Sequence, residues 1–491
     1  MRIRLQIFSV CLLLAGCASR QPEADPPYYT VETIDLPEGL TAETGGLDFM
    51  PDGRLVACFN RGEVMIYDPE TGQWELFAHG LHDPLGVKAV DNNEVLVMQR
   101  PELTRLVDED GDGRADLYET VTDQFGLSGN YHEFAYGPAI GPDGSLFIGL
   151  NAASSNAGVW DELRGEYNPL GHTVGMFSAV PYRGWILKVN SDGSVEPWAS
   201  GFRSPNGLGF DNEGNLFATD NQGDWVGTSK LFHIRKDQFY GHPASLVWES
   251  GFDVNPLSLP LPVLDKMRSR AAVLFPQGDL ADSPTEPVVD NTGGRFGPFA
   301  GQLFVGEMGR ARIMRVMLEE VDDAYQGAVV SFLDSTGLRL GNNRLVFGPD
   351  GSLWVGQTER KNGWIGSEGI QRIVWNGGTP IEVQSMNLTP TGFELLFTRP
   401  VDPDSAREMS AYRFTRYYYA YHAQYGSEQM DRQPVPVTNV ELSPNRRRVS
   451  ISLSRLVPGY IYELEICGVK AADGSPLEHN RLFYTLSRLK S

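Results

Sequence analysis

Hydrophobic and polar residues alternate in short segments that each follow a tight turn. After the turn at residues 141–144, the apolar residues Leu146, Ile148 and Leu150 occupy every second position. Alternation with a period of two is typical of a half-buried β-strand. The turn and strand recur, each time followed in sequence by a second strand. These units begin near residues 50, 92, 141, 211, 300 and 348.

A unit of this size cannot bury both faces of its own sheet. Units that repeat around an axis bury these faces against one another, as the blades of a propeller do. The pattern therefore predicts an all-β chain that begins with a six-bladed β-propeller over residues 30–378. The longest gaps between strands, at 151–183 and 241–299, are expected to be loops that carry function.

The pattern changes at residue 379. Residues 379–491 contain alternating strands separated by hairpin turns, which predicts a small immunoglobulin-like β-sandwich. Its segment 415–426, TRYYYAYHAQYG, is dense in aromatic residues. Two interpretations of this segment stay open: a strand that packs against the propeller or the sandwich core, and a face that stacks on sugars.

The N-terminus has the composition of a targeting segment. Arg2 and Arg4 precede an apolar run, 5–14, that is too short to span a bilayer as a mature helix. The next residues, LAGC at 14–17, are similar to the lipobox of bacterial lipoproteins. The resemblance implies that Cys17 is lipidated, and an ordinary signal peptide is the alternative.

The same resemblance sets the expected processing and location. Residues 1–17 would be the lipoprotein signal peptide, and residues 18–29, which are polar and rich in proline, would form a tether. Ala18 stands where lipoproteins of the inner membrane carry Asp, which implies the outer membrane. The mature protein is therefore expected to be lipid-anchored on the periplasmic or surface side.

Composition excludes one class of partner. The 491 residues carry a formal net charge of −22, and such a chain repels phosphate backbones, so no nucleic-acid binding is expected. Outside the targeting segment, Cys58 and Cys467 are far apart in sequence and do not indicate a disulfide framework.

A calcium loop is predicted at residues 108–119, DEDGDGRADLYE. Aspartates at positions 1, 3, 5 and 9, glycine at 6 and glutamate at 12 have the spacing of a twelve-residue calcium loop. A solvated acidic turn is the alternative, and a bound ion would have a structural role. The predicted ligands are Asp108, Asp110, Asp112, the Arg114 carbonyl, Asp116 and Glu119.

Two residues in different units are candidates for catalysis. His132 and Arg203 each lie about ten residues ahead of the turn and strand of their unit. Equivalent positions in successive blades project from the same face of a propeller, so both side chains are expected to reach one pocket. A base and a cation together can take a hydroxyl proton and stabilise the anion that forms.

Three segments resemble a known family. They are HEFAYGPAIGPDGSLFIGLN at 132–151, GFRSPNGLGFDNEGNLFATDNQGD at 201–224 and GNNRLVFGPDGSLWVGQT at 341–358. With them, residues 30–380 resemble the glucose/sorbosone dehydrogenase family of quinoprotein six-bladed propellers, and more closely the membrane-bound dehydrogenase propellers of environmental bacteria. The resemblance implies an oxidoreductase, a sugar or polyol dehydrogenase that uses pyrroloquinoline quinone and calcium. A separate electron acceptor such as a cytochrome is implied as well.

The resemblance also implies roles for residues. His132 matches the base that takes the sugar hydroxyl proton, and Arg203 matches the arginine that contacts the quinone. The loop TDNQGD matches the loop whose backbone carbonyls bind the cofactor's calcium, although it is one residue longer. The cofactor-binding set on this basis is Arg203, Ser204, Asn206, Gln222, Gly223 and Asp224.

Two departures concern the cations that hold the cofactor's carboxylates. Gly309 stands where the family has a lysine, with Arg310 next to it. Of an Arg-x-Arg-Asp cluster only Arg344 remains, one residue out of register. Arg310, Arg312 and Arg344 are therefore the expected substitutes.

Other functions remain open, because propellers host many activities. A carbohydrate lyase or hydrolase could use His132, Tyr131, Tyr136 and Arg203. A non-catalytic propeller that binds a glycan or a partner is the third possibility.

Overall fold

The computed structural model describes residues 28–335, 337–359 and 367–490. The predicted signal peptide, the lipidation site Cys17 and the tether up to residue 27 lie outside these residues. None of the helices in the described part of the chain is long and apolar enough to cross a membrane. The described residues form a six-bladed β-propeller followed by a β-sandwich, which confirms the all-β fold predicted from the repeats.

The propeller strands follow one another along the chain. After β1 (Tyr29–Thr33), blade 1 contains β2 (Thr44–Phe49), β3 (Leu55–Phe59), β4 (Val64–Asp68) and β5 (Gln73–Ala78). Blade 2 contains β6 (Val87–Ala89), β7 (Glu94–Met98), β8 (Leu103–Val107) and β9 (Leu117–Thr122). Blade 3 contains β10 (Ala135–Ile140), β11 (Leu146–Leu150), β14 (Trp185–Val189) and β15 (Val195–Ser200), with the short hairpin β12 (Ala153–Ser154) and β13 (Met176–Phe177) between its second and third strands.

The second half of the ring repeats the arrangement. Blade 4 contains β16 (Leu208–Phe210), β17 (Leu216–Asp220), β19 (Ser229–Ile234) and β21 (Val273–Phe275); β18 (Asp224–Val226) lies in its loop, and β20 (Gln238–Phe239) extends blade 3. Blade 5 contains β22 (Pro284–Val289), β23 (Leu303–Glu307), β24 (Arg312–Val321) and β25 (Ala324–Asp334). Blade 6 contains β26 (Asn342–Phe347), β27 (Leu353–Gln357) and β28 (Gly369–Trp375).

The N-terminal strand closes the ring. β1 pairs antiparallel with β28, with Tyr29 opposite Trp375, and so becomes the fourth strand of blade 6. The innermost strands β2, β6, β10, β16, β22 and β26 contact one another in a closed circle. The circle is tight: a Cβ on Gly86 would lie 1.7 Å from the carbonyl oxygen of Gly137, so glycine is required where these strands meet.

Helices occur in two places. The insertion between β20 and β21 contains 3₁₀ turns at Pro243–Trp248 and Pro256–Ser258 and the helix α1 (Leu261–Met267). This insertion packs on the long segment 151–183 of blade 3, where Trp248 Nε1 donates a hydrogen bond to the Ser178 carbonyl (3.1 Å). The sandwich contains α2 (Pro403–Arg407) and a 3₁₀ turn at Met409–Ala411.

The sandwich is joined to the propeller through its strands. One sheet contains β29 (Val383–Thr389), β30 (Gly392–Phe397), β35 (Arg448–Leu453) and β34 (Val437–Leu442). The facing strands β31 (Tyr412–Tyr419), β33 (Gln429–Val435), β36 (Tyr460–Ile466) and β37 (Arg481–Leu486) continue the sheet of blade 5, because β37 pairs with β25. The remaining strand, β32 (Tyr421–Tyr425), leaves the sandwich and pairs with β18 of blade 4.

Candidate active site in the central cavity

A cavity of about 800 Å³ lies on the propeller axis. Its wall includes one residue at or just before the start of the inner strand of every blade, which places the cavity at that end of the axis. These residues are Gly45, Leu85, Tyr136, Asn206, Ser283 and Asn343. His132, Arg203 and Gln222 line the same cavity, although 71 positions of sequence separate the first two (203 − 132). The structure thus places the predicted base and cation in one pocket.

His132 is buried in the loop that leads into β10. Its ring Nδ1 lies 2.7 Å from the Ala152 carbonyl oxygen, and its backbone N–H donates to Asn130 Oδ1 (3.1 Å). A carbonyl oxygen can only accept, so Nδ1 carries the proton and Nε2 is the basic nitrogen of the neutral ring. The loop thus fixes both the position and the tautomer that a general base requires.

The buried carboxylate of Asp220 positions the backbone of Arg203. Asp220 accepts hydrogen bonds from the backbone N–H groups of Arg203 (3.2 Å) and Ser204 (2.6 Å) and pairs with Lys230 (3.3 Å). The Arg203 side chain runs across Gly223, where a Cβ would lie 2.9 Å from its Cγ. Asp220 therefore holds the backbone of Arg203, while the guanidinium group extends along the cavity wall.

Several buried polar atoms in the wall have no hydrogen-bond partner among the described residues. They are both side-chain amide atoms of Asn151, Nε of Arg203, Oδ1 of Asn221 and Oε1 of Gln277. An unsatisfied buried polar atom costs about 1–3 kcal/mol, and native proteins contain few of them. Five of the sixteen such atoms in the described part of the chain belong to this wall, which is therefore polar in character. Sequence reasoning missed all three amides, because single Asn and Gln residues in loops carry no spacing signal.

In the loop TDNQGD at 219–224, which is predicted to bind the cofactor's calcium, Gly223 and Asp224 bind other parts of the protein. Asp224 is buried, accepts from the Met176 backbone N–H (2.9 Å) and pairs with His242 (3.2 Å). Burial alone would raise the pKa of Asp224, but the charge and hydrogen bond of His242 hold it below its ordinary value. The Gly223 carbonyl accepts from the Gly426 N–H (2.9 Å). Of this loop, Gln222 and its neighbour Asn221 line the cavity.

Two of the arginines expected to hold cofactor carboxylates, Arg310 and Arg344, each have partners within the protein. Arg310 lies outside the cavity wall and pairs with Asp282 (3.0 Å). Arg344 is 2% exposed and donates to the carbonyl oxygens of several inner strands. Those acceptors are Gly45 (2.7 Å), Leu85 (2.9 Å), Asn206 (3.3 Å) and Asn343 (2.8 Å). Arg310 thus braces a loop and Arg344 braces the ring, and their assignment as cofactor ligands stays a prediction.

Pyrroloquinoline quinone, a tricarboxylate, does not fit the cations that the cavity offers. Besides Arg203, the wall contains Arg61 and Arg100, and Arg100 is paired with Asp83. The wall also contains carboxylates of its own, including Glu43. Arg203 could face a quinone oxygen and Arg61 could pair with one carboxylate, but the remaining two carboxylates would lack partners of opposite charge.

The predicted calcium loop is assembled in part. Ligand oxygens of Asp108, Asp110 and Asp116 lie within 4.8 Å of one another. Asp112 and Glu119 are not in this group, and the Glu119 carboxylate pairs with Arg105 (3.1 Å) instead. Three converging carboxylates suit a calcium ion chemically, and Asp112 and Glu119 stay predicted ligands. The backbone N–H of Arg114 donates a hydrogen bond to Asp112 Oδ1 (2.9 Å).

These features define a class: a six-bladed propeller whose axial cavity contains a histidine, an arginine and unpaired amides. The chain belongs to the family of DUF7133, a domain of unknown function, which matches residues 25–360. No curated protein sequence matches it.

Solved structures share the propeller. An oxidoreductase from Thermus thermophilus, described as a glucose dehydrogenase, is similar at a TM-score of 0.50 and 19% identity, covering 70% of this chain and 100% of that one. A second structure, of a glucose dehydrogenase, has a TM-score of 0.50 and 17% identity, with 71% and 100% covered. The PQQ-bound aldose sugar dehydrogenase of Streptomyces coelicolor has a TM-score of 0.47 and 15% identity, with 72% and 100% covered. At these identities the first two similarities show the fold, a six-bladed β-propeller.

Proposed function

We propose that the protein is a carbohydrate or polyol dehydrogenase that binds its substrate in the central cavity. The observation that supports this most is that His132 and Arg203 line one cavity together with unpaired amide atoms. Hydroxyl groups both donate and accept, so a polyhydroxy ligand can satisfy amide oxygens, amide nitrogens and a guanidinium N–H at once.

In the proposed reaction, His132 removes the proton of the substrate hydroxyl through Nε2. The Ala152 carbonyl holds Nδ1–H and stabilises the imidazolium that forms. Arg203 offers positive charge to the oxygen as it becomes anionic, in a site where the protein has already oriented the group. Oxidation of the hydroxyl also requires that the hydride of the carbinol carbon pass to a two-electron acceptor. We propose a bound quinone with fewer carboxylates than pyrroloquinoline quinone, which would become the quinol with Arg203 beside its oxygen.

The test is dye-linked oxidation of glucose, methyl glucoside and sorbitol by the purified protein. Reactions are run with phenazine methosulfate as acceptor, and with or without pyrroloquinoline quinone and calcium. A positioned base contributes about 10²–10⁴-fold in rate, so His132→Gln should lower turnover by that factor and leave the melting temperature within about 2 °C. Turnover by His132→Gln equal to that of the wild type would contradict the assignment.

A second candidate is a glycan-binding propeller without catalysis. The exposed tyrosines Tyr131 and Tyr425 in the cavity wall favour it, since aromatic faces bind sugars without any chemistry. Binding of glucose and sorbitol without oxidation of either under every acceptor condition would select this function over the dehydrogenase.

The location and the partners are proposed on the sequence. Lipidation of Cys17 would anchor the protein to the bacterial membrane, with the propeller on the periplasmic or surface side. A membrane-associated cytochrome would then be a suitable electron acceptor. Calcium would bind at Asp108, Asp110 and Asp116 and stabilise blade 2.

A further inference from the structure

The C-terminal sandwich reaches into the wall of the central cavity. Its strand β32 leaves the sandwich and pairs antiparallel with β18, with Asp224 opposite Tyr425 and Val226 opposite Tyr421. Two further backbone hydrogen bonds continue the contact, from Gly426 to Gly223 (2.9 Å) and from Ser427 to Gly227 (3.0 Å). The loop that carries Asn221 and Gln222 is therefore fixed by the second domain.

Side chains of the sandwich hold this arrangement at several points. Tyr421 donates to the Gly241 carbonyl (2.6 Å) and packs under the Arg268 guanidinium, 4.4 Å from the ring centre. Asp279, in the loop that also carries Gln277, accepts from Gln429 Nε2 (3.1 Å) and pairs with Arg481 (3.2 Å). The loops that carry two of the three amides without partners, Asn221 and Gln277, are thus attached to the sandwich. An element held this firmly can present a side chain at a defined position.

The side chain it presents is Tyr425. This residue lines the cavity together with Arg203 and Gln222, and it is 64% exposed. Other tyrosines of the same segment are used for packing, with Tyr417 fully buried. The ring is exposed at the wall of a polar cavity, on a strand fixed by backbone hydrogen bonds, so a ligand in the cavity can pack on it.

We propose that Tyr425 of the C-terminal sandwich is a stacking platform that makes the cavity select ring-form sugars over open-chain polyols. This inference rests on the proposed carbohydrate function of the cavity. One face of a pyranose ring presents several C–H groups in a plane, and such an apolar patch packs on an aromatic face. An open-chain polyol has no such flat face, so only its hydrogen bonds with the amides and Arg203 stabilise its binding.

The test measures binding of two neutral probes by titration calorimetry to the full chain. Methyl α-glucoside is locked as a ring, and sorbitol is its open-chain counterpart. Tyr425→Ala should weaken methyl glucoside binding roughly five- to tenfold and change sorbitol binding less than about twofold. Tyr425→Phe keeps the aromatic face and should bind both probes as the wild type does. Tyr118→Ala removes a tyrosine that is 43% exposed on β9, outside the cavity wall, and serves as the matched control.

The outcomes separate the two proposals. If the wild type binds methyl glucoside and Tyr425→Ala binds it equally well, the platform is refuted and the carbohydrate function stands. Equal weakening of both probes would also refute it, since selection of the ring would be absent. If the wild type binds neither probe, the carbohydrate function fails and the platform fails with it.

Discussion

Replacing Arg344 distinguishes a structural arginine from a cofactor ligand. The side chain sits where the inner strands of the ring converge and gives its N–H groups to four backbone carbonyl oxygens. Arg344→Met preserves much of the volume and removes every donor. Each carbonyl left buried without a partner costs about 1–3 kcal/mol, so a total loss of about 4 kcal/mol is a conservative expectation.

The loss of stability converts into a change of melting temperature. Unfolding entropy is about 2.1 cal/mol/K per residue, and the propeller from Tyr29 to Trp375 contains roughly 350 residues. The entropy of unfolding is then about 0.7 kcal/mol/K, and 4 kcal/mol corresponds to a fall of about 5–6 °C. Arg344→Lys keeps the charge with fewer donors in a different geometry, and should fall by about half as much.

Scanning calorimetry without any added cofactor is the assay. Arg310→Met is the matched control, because that arginine is partly exposed and its pair with Asp282 is of the kind that contributes about 0–1 kcal/mol. If Arg344→Met melts within 1 °C of the wild type but loses binding of pyrroloquinoline quinone, the structural role is wrong and the role implied by the family resemblance is restored.

Three further predictions follow from other parts of the molecule. Burial, assisted by the charge of Arg235, lowers the pKa of His233 from 6.5 to about 4, so between these pH values the unfolded chain binds a proton that the native protein does not. The melting temperature of the wild type should therefore fall more steeply than that of His233→Gln as the pH drops from 6.5 to 4. Parallel curves for the two proteins would contradict this. Calcium that binds only the native state stabilises it by about 2.7 kcal/mol at a hundredfold excess over Kd. Because Asp108 belongs to the converging carboxylates and Asp112 does not, chelation of calcium should lower the melting temperature of the wild type and of Asp112→Ala but not that of Asp108→Ala. Cys17→Ser should abolish metabolic labelling by a clickable fatty acid and release the protein from the membrane fraction, whereas retained labelling would exclude the lipobox.

The repeated turn and strand were sufficient to predict the propeller, because a period of two and a fixed turn depend on nearby residues alone. The closure of the ring was not predicted. Residues 18–29 were assigned to a tether, and the pairing of Tyr29 with Trp375 joins positions 346 apart in sequence (375 − 29). Alternation identifies a strand but not its partner. For the same reason, the continuation of blade 5 into the sandwich through β25 and β37 could not be derived from the pattern.

The candidate site was predictable where equivalent positions in the repeat carry the chemistry. His132 and Arg203 occupy corresponding places in two units, and both line the cavity. The amides and Tyr425 have no such correspondence, and their place depends on how loops of different lengths meet. The aromatic segment 415–426 shows the limit, since one part of it packs and another part lines the cavity.

Two independent observations argue that the ligand of the cavity is neutral. Arg344 and Arg310 are two of the residues that would have to replace the missing cations, and each already has partners within the protein. The chain as a whole carries a net charge of −22, so an anion with several carboxylates must approach against the field of the protein and would then meet few unpaired cations. A sugar meets neither obstacle, and its hydroxyl groups match amide atoms that would otherwise stay unpaired. On the proposed function, the cavity therefore recognises hydroxyl groups more than carboxylates, because its cations are few and its amides are several.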